Sequence, residues 1–265
     1  MAAVIAVLSQ KGGTGKTTAV RTLSDVLRRV GLKVLAIDLD PQGNLSDYFD
    51  VDPDAQPTIG EVLTGRAKAS EAIHGDVIPA NLGLAEAELV LGGKMGRELT
   101  LKRALRDVGR SYDVVLIDCP PALGLLTVNA LVAADHALIS AEAQYFALQG
   151  VEQALEVIDL AKDNLNPDLQ WLGVVLNIAD MRTVHSREAL SGLTEHFGDL
   201  VFETPIRASI AYAESAERGV SIIDYRPDLG ADYLELARAV LSRIGLKTAA
   251  GRIRDLEHEH ASAGS

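Results

Sequence analysis

Cysteine and aromatic residues are scarce in this sequence: Cys119 is the one cysteine, and aromatic residues make up 4% of the 265 positions. A single cysteine excludes an internal disulfide framework and suits a reducing compartment. The sequence also lacks any apolar run approaching the ~18 to 20 residues that a membrane-spanning helix needs. No basic leader precedes an apolar segment, because an apolar strand pattern begins at Ala3. We therefore expect a cytoplasmic protein.

Positive charge is also in short supply. The chain has 25 Lys and Arg against 37 Asp and Glu, which gives a formal net charge of −12. A uniformly acidic surface repels nucleic acids and anionic membranes and attracts basic segments of partner proteins. Any binding of DNA must therefore depend on a local basic patch.

Short apolar, β-branched runs alternate with amphipathic stretches of helix length. This pattern predicts an α/β fold, a mostly parallel sheet with crossover helices on both faces. The predicted strands are residues 4–8, 33–37, 113–117, 136–140 and 172–176. The predicted helices are residues 17–30, 99–108, 125–133, 148–161, 187–196 and 229–244. Most strands are nearly continuous apolar runs, as expected when both faces of a sheet are covered.

The C-terminal segment has a different composition from the rest of the chain. Residues 1–246 are predicted to form a single domain, and residues 247–265 a flexible C-terminal tail, because apolar periodicity is lost there. The tail contains the run His258-Glu259-His260, which has the appearance of a metal-binding pair. Without a third ligand nearby, a solvated tail is the preferred interpretation.

A glycine-rich segment follows the first predicted strand and opens the first predicted helix. It reads Gln10-Lys11-Gly12-Gly13-Thr14-Gly15-Lys16-Thr17-Thr18. Glycines let backbone amides approach a triphosphate closely, and a helix N-terminus adds a partial positive charge. Lys16 is placed to reach the β- and γ-phosphates, and the Thr17 hydroxyl can ligate Mg²⁺. The segment therefore predicts a site for ATP and Mg²⁺; the alternative is a structural glycine turn.

Two other predicted strands end in carboxylates, at the edge where open α/β sheets bind ligands. Asp38 and Asp40 lie two residues apart, so an extended backbone points both side chains the same way. One would then lie near Mg²⁺ and the other near an attacking water, the alternative being that both cap the following loop. Asp118 ends a buried strand and offers the hard oxygen ligand that Mg²⁺ prefers. Cys119, beside it, is interpreted as core packing.

These segments together resemble the ParA family of DNA-partition ATPases. The run K-G-G-T-G-K-T-T at residues 11–18 is similar to the deviant Walker A motif of the ParA/MinD group of P-loop NTPases. Residues 38–44 resemble the family's D-x-D-P-Q-G-N element, and residues 118–131 its Walker B and switch segments. The resemblance covers roughly residues 3–245. Residues 224–231 look more like ParA than MinD, and the acidic C-terminal segment is unlike the membrane helix of MinD, so no stable membrane association is expected.

The resemblance implies an ATP-dependent homodimer that hydrolyses ATP. It implies that Lys11 reaches across the dimer to the partner subunit's phosphates, and that Asp40 positions or activates the attacking water. Lys11, Lys16 and Asp40 are thus the expected catalytic residues, and Lys11 as a solvent-exposed lysine is the alternative. The turn Thr204-Pro205-Ile206-Arg207 is expected to flank the adenine, with Asn177 offering amide groups to the base.

The resemblance further implies non-specific binding of double-stranded DNA, association with the nucleoid, and activation of hydrolysis by a ParB-like centromere-binding protein. The expected DNA contacts are Arg182, Arg187, Arg207 and Arg218, each of which is alternatively a solvated surface residue. Close relatives have a richer basic run where this chain reads Arg207-Ala208-Ser209-Ile210-Ala211, a departure that argues against strong binding of DNA. Two alternatives stay open: a ParA-like ATPase that positions a protein cargo, and a MinD-like membrane-cycling regulator.

Overall fold

The structure, a computed structural model, describes residues 2–263 and the side chains of residues 2–256. The strands are β1 (Ala3–Leu8), β2 (Val34–Asp38), β3 (Val77–Ile78), β4 (Val114–Asp118), β5 (His136–Glu142) and β6 (Gln170–Asn177). They form a 6-stranded sheet in the order β3-β2-β4-β1-β5-β6. Every neighbouring pair in this order is parallel.

The helices connect these strands and complete the C-terminal part of the described chain. They are α1 (Lys16–Arg29), α2 (Asn44–Tyr48), α3 (Ile59–Thr64), α4 (Gly83–Gly92), α5 (Thr100–Ala104), α6 (Leu125–Ala133), α7 (Ala147–Asn164), α8 (Val184–Phe197), α9 (Ala211–Glu217), α10 (Ile222–Tyr225), α11 (Pro227–Arg243) and α12 (Lys247–Ala263). Short 3-10 turns lie at Ala69–Ala72, Arg97–Leu99 and Gly198–Leu200.

Two hydrophobic cores lie on opposite faces of the sheet, and β1 contributes to both. Ala6 and Leu8 pack in the core that contains residues of α3, α4, α6, α7 and α8. Ile5 and Val7 pack in the core formed with α1, α9, α10, α11 and α12. Because successive side chains of a strand point to opposite faces, a strand covered on both sides must be apolar throughout. The predicted α/β fold class, with helices on both faces, is confirmed.

The predicted strands agree with the structure to within a few residues, as do most of the predicted helices, and the differences concern mainly short elements and the C-terminal segment. β3 has 2 residues and α2 has 5, too few to produce a recognisable period. The predicted helix at residues 99–108 is shorter, because α5 covers only Thr100–Ala104. α3, α4, α9 and α10 were not predicted either.

The predicted flexible tail is wrong for the part that the structure describes. Residues Lys247–Ala263 form α12, and Ala249, Ala250 and Ile253 are buried in the same core as α1 and α11. Burial of these side chains stabilises the segment, as packing does for most helices in proteins, and the helix continues through Gly251. The side chains of His258, Glu259 and His260 lie outside the described residues.

The described residues contain neither a membrane-spanning helix nor a cluster of metal-ligating side chains. Among the described residues, no helix combines the length and the apolar character needed to cross a bilayer. Within the same residues, no group of three or more His, Cys, Asp or Glu side chains is arranged to hold a metal ion.

Candidate active site

A cavity of about 890 Å³ opens where β1, β2 and β4 end. Residues 12–18 of the glycine-rich loop and the start of α1 line it, together with Asp40 and Asn177. Gly15 caps α1, and no acidic side chain lies in its first turn, so the partial positive charge of the helix terminus is not neutralised there. Such a terminus is a binding site for anionic groups.

Lys16 is held at the centre of the loop by a small hydrogen-bond network. Its Nζ donates to the Ser9 hydroxyl at 3.0 Å and to the backbone oxygen of Lys11 at 3.2 Å. The Thr14 hydroxyl also donates to Ser9, at 2.9 Å. Burial lowers the pKa of the Lys16 ammonium, and the Asp118 carboxylate opposes that shift. Ser9, which the sequence analysis did not single out, therefore positions the lysine.

Lys11 lies on a different side of the loop from Lys16. Its side chain is exposed, and its Nζ lies 5.6 Å from the centroid of the Phe146 ring. Lys11 is not among the described residues that line the cavity, although the neighbouring Gly12 is. The structure therefore separates the two lysines, one inside the cavity and one outside it.

Gly15 and Asn177 depend on each other. Gly15 has a φ of +80°, which favours glycine, and a Cβ at this position would collide with the Asn177 side-chain amide. Asn177 Nδ2 donates to the backbone oxygen of Gly15 at 3.4 Å and to Ser140 Oγ at 3.3 Å, while its Oδ1 accepts from the Ile178 amide at 2.9 Å. Asn177 therefore supports the loop with its side-chain amide, the same group that was expected to bind the adenine.

Asp38 and Asp118 lie opposite each other at the ends of β2 and β4, and both are buried. Asp118 Oδ2 accepts a hydrogen bond from the Thr17 hydroxyl at 2.7 Å. Asp38 Oδ1 accepts from the Asp40 amide at 3.0 Å, and its Oδ2 accepts from the Ser46 amide and hydroxyl at 2.9 and 2.8 Å. Burial raises the pKa of both carboxyl groups, and for Asp118 the nearby Asp38 carboxylate adds to the effect.

The oxygen atoms of Thr17 and Asp118 fit Mg²⁺. Asp118 Oδ1 is buried and has no hydrogen-bond partner within the described part of the chain. Burying such an oxygen without a partner is unfavourable, and a cation bound next to it would compensate. Asp38 fits this role less well, because both of its oxygens already accept hydrogen bonds. Its contacts show that it holds the loop between Asp40 and Ser46 instead.

Asp40 lines the cavity at its partly exposed edge. Its Oδ1 accepts from the Gln42 amide at 3.0 Å, which fixes the side chain in the loop after β2. The Asp40 backbone amide donates to Asp38 Oδ1, and this hydrogen bond also holds the loop. Asp40 is therefore a partly exposed carboxylate at the rim, whereas Asp38 and Asp118 lie buried beneath it.

The sequence analysis missed several cavity residues, among them Arg21, Tyr48 and Tyr212. Arg21 lies on α1 and is only 3% exposed. The sequence did offer a signal for Arg21, because it is a charged residue beside Val20 and Leu23 on the face of the predicted helix that points into the protein. Tyr48 and Tyr212 lie on the short helices α2 and α9, for which the sequence offered no clear period.

The predicted adenine turn reaches the cavity only in part. Arg207 lines it, but Pro205 and Ile206 are not among the described lining residues, and the Ile206 side chain is buried in the core. The Arg207 guanidinium pairs with Asp232, at 2.8 Å between Nε and Oδ2, and donates to the backbone oxygen of Asp228. Arg207 therefore connects this turn to α11, which limits its availability to DNA.

The other three arginines predicted to contact DNA lie at the surface. Arg182 is 91% exposed at its side chain and pairs with Asp180, at 2.9 Å between Nε and Oδ1. Arg187 Nη1 donates to the backbone oxygen of Arg182 at 2.8 Å. The Arg218 guanidinium lies 5.1 Å from the centroid of the Tyr225 ring. These positions leave their role in DNA binding a prediction.

Comparisons with known proteins identify the family. The family model described as "AAA domain" matches residues 2–171. The sporulation initiation inhibitor protein Soj of Bacillus subtilis is 39% identical over 249 residues, which cover 91% of this chain and 98% of Soj. The chromosome partitioning protein ParA of Caulobacter vibrioides is 38% identical over 251 residues, which cover 91% of this chain and 94% of that protein.

A solved structure gives the same result for the fold. It is that of cobyrinic acid a,c-diamide synthase from Mycobacterium smegmatis with bound ADP and magnesium, which is 41% identical to this chain. The TM-score is 0.74, and the match covers 82% of this chain and 93% of that one. With the motif at residues 11–18 at the junction of β1 and α1, these similarities show that the chain has a P-loop NTPase fold and belongs to the ParA/Soj family.

Proposed function

We propose that this protein is a DNA-partition ATPase. It binds ATP with Mg²⁺, dimerises in the ATP state, binds double-stranded DNA without sequence preference, and is released when a ParB-like protein stimulates hydrolysis. The cycle takes place in the cytoplasm, on the nucleoid, and segregates a plasmid or chromosome. The observation that carries the proposal is the phosphate loop, with Lys16 inside the cavity and Lys11 outside it.

Each side chain of the cavity has a separate role in ATP hydrolysis. Lys16 exchanges its bond to Ser9 for charge-assisted hydrogen bonds to the β- and γ-phosphates. The loop amides and the N-terminus of α1 bind the remaining phosphate oxygens. Thr17 and Asp118 would hold Mg²⁺, which neutralises phosphate charge when it is bound. Asp40, at the rim, orients the attacking water and accepts its proton.

Replacing Lys11 by alanine tests the proposed dimer. Because Lys11 lies outside the cavity, we expect the Lys11→Ala monomer to bind ATP as the wild type does. The variant should form no ATP-dependent dimer and should not hydrolyse ATP, because the phosphates bound by the partner subunit no longer meet the positive charge of Lys11. Light scattering with ATP measures the first effect and phosphate release the second. Lys33→Ala, at an exposed lysine before β2, is the control. A fully active Lys11→Ala dimer would contradict the role across the interface.

Charge reversal of Arg182 and Arg218 tests the binding of DNA. The double variant Arg182→Glu, Arg218→Glu changes both subunits of the dimer, so we expect a loss of affinity well beyond tenfold. ATPase activity without DNA should stay close to normal. In the wild type, affinity should appear mainly with ATP rather than ADP, and fall steeply between roughly 50 and 200 mM salt. Gel shifts with unrelated duplexes should show no sequence preference, because phosphate contacts carry no base information.

The control for this experiment is Arg66→Glu. Arg66 is exposed and precedes β3, at the sheet edge opposite β6, after which Arg182 lies. Arg207 is left unchanged because it pairs with Asp232, and its replacement would disturb the fold. If the wild-type ATP dimer ignores DNA even at low salt, these arginines are only solvated residues and DNA is not the surface on which the protein acts. If Arg66→Glu reduces affinity as much as the double variant, the effect is one of net charge.

A further inference from the structure

Arg21 is a buried arginine in the wall of the cavity. It lies on α1, one to two turns after Lys16, and its guanidinium contacts α2, α9 and the segment between α9 and α10. One contact is the ring of Tyr48, over which the guanidinium lies. The others are hydrogen bonds to the backbone oxygens of Ser215 at 3.3 Å and Val220 at 2.9 Å. A third, longer bond of 3.4 Å reaches the Ser215 hydroxyl.

On one side, Arg21 caps the C-terminal end of α9. This helix has 7 residues, and a helix of that length has little stability of its own. The last carbonyl groups of a helix lack intrahelical donors and carry a partial negative charge, so a cation placed there is favourable. Tyr212 and Ala213, which line the cavity, belong to the same helix. Arg21 therefore fixes the position of this wall relative to α1.

On the other side, Arg21 contacts the helix that follows the Asp40 loop. Tyr48 is the last residue of α2, and it lines the cavity together with Asp47. A guanidinium over an aromatic ring is attracted by the negative charge of the ring face. A single side chain of α1 thus joins α2 and α9, which lie on either side of it.

The chemistry of the guanidinium suits this connecting role. Its planar group donates several hydrogen bonds in fixed directions, which a lysine ammonium does not reproduce. Burial lowers the pKa of Arg21 to about 10, while Asp25 opposes that shift, so the group stays charged at neutral pH. Arg21 Nη2 donates to the backbone oxygens of Ser215 and Val220, and the Tyr48 ring covers one face of the guanidinium. Arg21 therefore holds the walls of the cavity in place and does not bind phosphate.

We propose that Arg21 is a positioning residue that fixes α9 and α2 against α1, and thereby sets the affinity of the cavity for nucleotide and its discrimination between ATP and GTP. The inference rests on the proposed ATPase function. According to this inference, the buried Arg21 side chain determines the shape of the part of the cavity that lies beyond the phosphate loop. Phosphate contacts are common to both nucleotides, so discrimination must come from walls that meet the base.

The test is Arg21→Met, which keeps the apolar stem and removes the donors. We expect the Kd for ATP to rise at least tenfold and the ratio of the GTP and ATP dissociation constants to move toward one, as measured with fluorescent analogues of both nucleotides. Arg21→Lys, which keeps the charge, should show the same change in ratio. Tyr48→Leu should show a smaller one, because it removes only the contact to α2. The matched control is Arg29→Met, at the last residue of α1, where the arginine pairs with Asp224 of α10 outside the lining of the cavity.

The ratio separates positioning from a general loss of stability. A less stable protein binds both nucleotides less well, so a ratio unchanged from the wild type in Arg21→Met and Arg21→Lys would overturn the inference. So would ATP affinity within twofold of the wild type in either variant, provided its thermal transition is cooperative. If Arg21→Met fails to fold, Arg21→Lys decides alone. Lys16→Ala serves as the reference for lost phosphate binding. A wild-type protein that binds no ATP would instead refute the proposed function.

Discussion

Replacement of Lys16 by alanine should abolish nucleotide binding. Lys16 is 6% exposed and is the lysine within the cavity that lies at the start of α1. Removing one partner of a buried, hydrogen-bonded charge pair costs about 2–5 kcal/mol, which is enough to move ATP binding out of the working range. Because the ammonium is partly desolvated before ATP binds, its loss should cost little folding stability. Isothermal titration with ATP and Mg²⁺ measures the binding, and a thermal melt measures the stability.

Two variants make this result specific to the position. Lys33→Ala removes an exposed lysine that precedes β2 and should leave ATP affinity unchanged. Ser9→Ala removes the acceptor that holds the Lys16 ammonium and should weaken ATP binding only slightly, because the lysine keeps its charge and its bond to the Lys11 backbone. A Lys16→Ala protein that binds ATP as tightly as the wild type would show that residues 11–18 are only a structural turn.

The sequence was sufficient to predict the phosphate side of the cavity. Residues 11–18 are contiguous, and their strand–loop–helix context follows from the apolar run of β1 and the period of α1. The spacing of Asp38 and Asp40 predicted that both lie at the end of a strand, and the structure places Asp40 in the lining of the cavity and Asp38 at the buried end of β2. The spacing could not show which oxygens already accept hydrogen bonds, so Asp38 was expected to bind metal although both of its oxygens accept bonds from Ser46 or the Asp40 amide.

The opposite side of the cavity could not be predicted, because it is assembled from distant segments. Arg21 meets Ser215 and Val220, which are 194 and 199 positions away in the chain. The helices involved are short: α2 has 5 residues and α9 has 7. Tertiary contacts rather than local propensity hold such helices. The same reason explains α12: residues 247–265 were interpreted as a tail because their apolar periodicity is lost, whereas burial of Ile253 holds the described helix.

Replacement of Asp40 should stop hydrolysis without preventing ATP binding. The carboxylate lies at the rim of the cavity, where a water attacking the γ-phosphate would approach, and a general base of this kind contributes about 10²–10⁴-fold to the rate. Its negative charge repels the phosphates, so its removal should leave ATP affinity unchanged or slightly higher. We therefore expect Asp40→Ala to form a stable ATP dimer with little turnover, measured by single-turnover phosphate release and by light scattering.

Asp40→Asn separates the base from the loop that carries it. The asparagine oxygen can still accept the hydrogen bond from the Gln42 amide, so the loop after β2 keeps its conformation while the group that takes the proton is lost. Asp40→Asn should therefore be as slow as Asp40→Ala, whereas Asp47→Asn, at another carboxylate lining the cavity, should remain active. Near-normal hydrolysis by Asp40→Asn would show that the water is activated elsewhere. In that case Asp40 would serve only to hold the loop after β2 in its conformation, and loss of the general base would not explain a stable ATP-bound dimer.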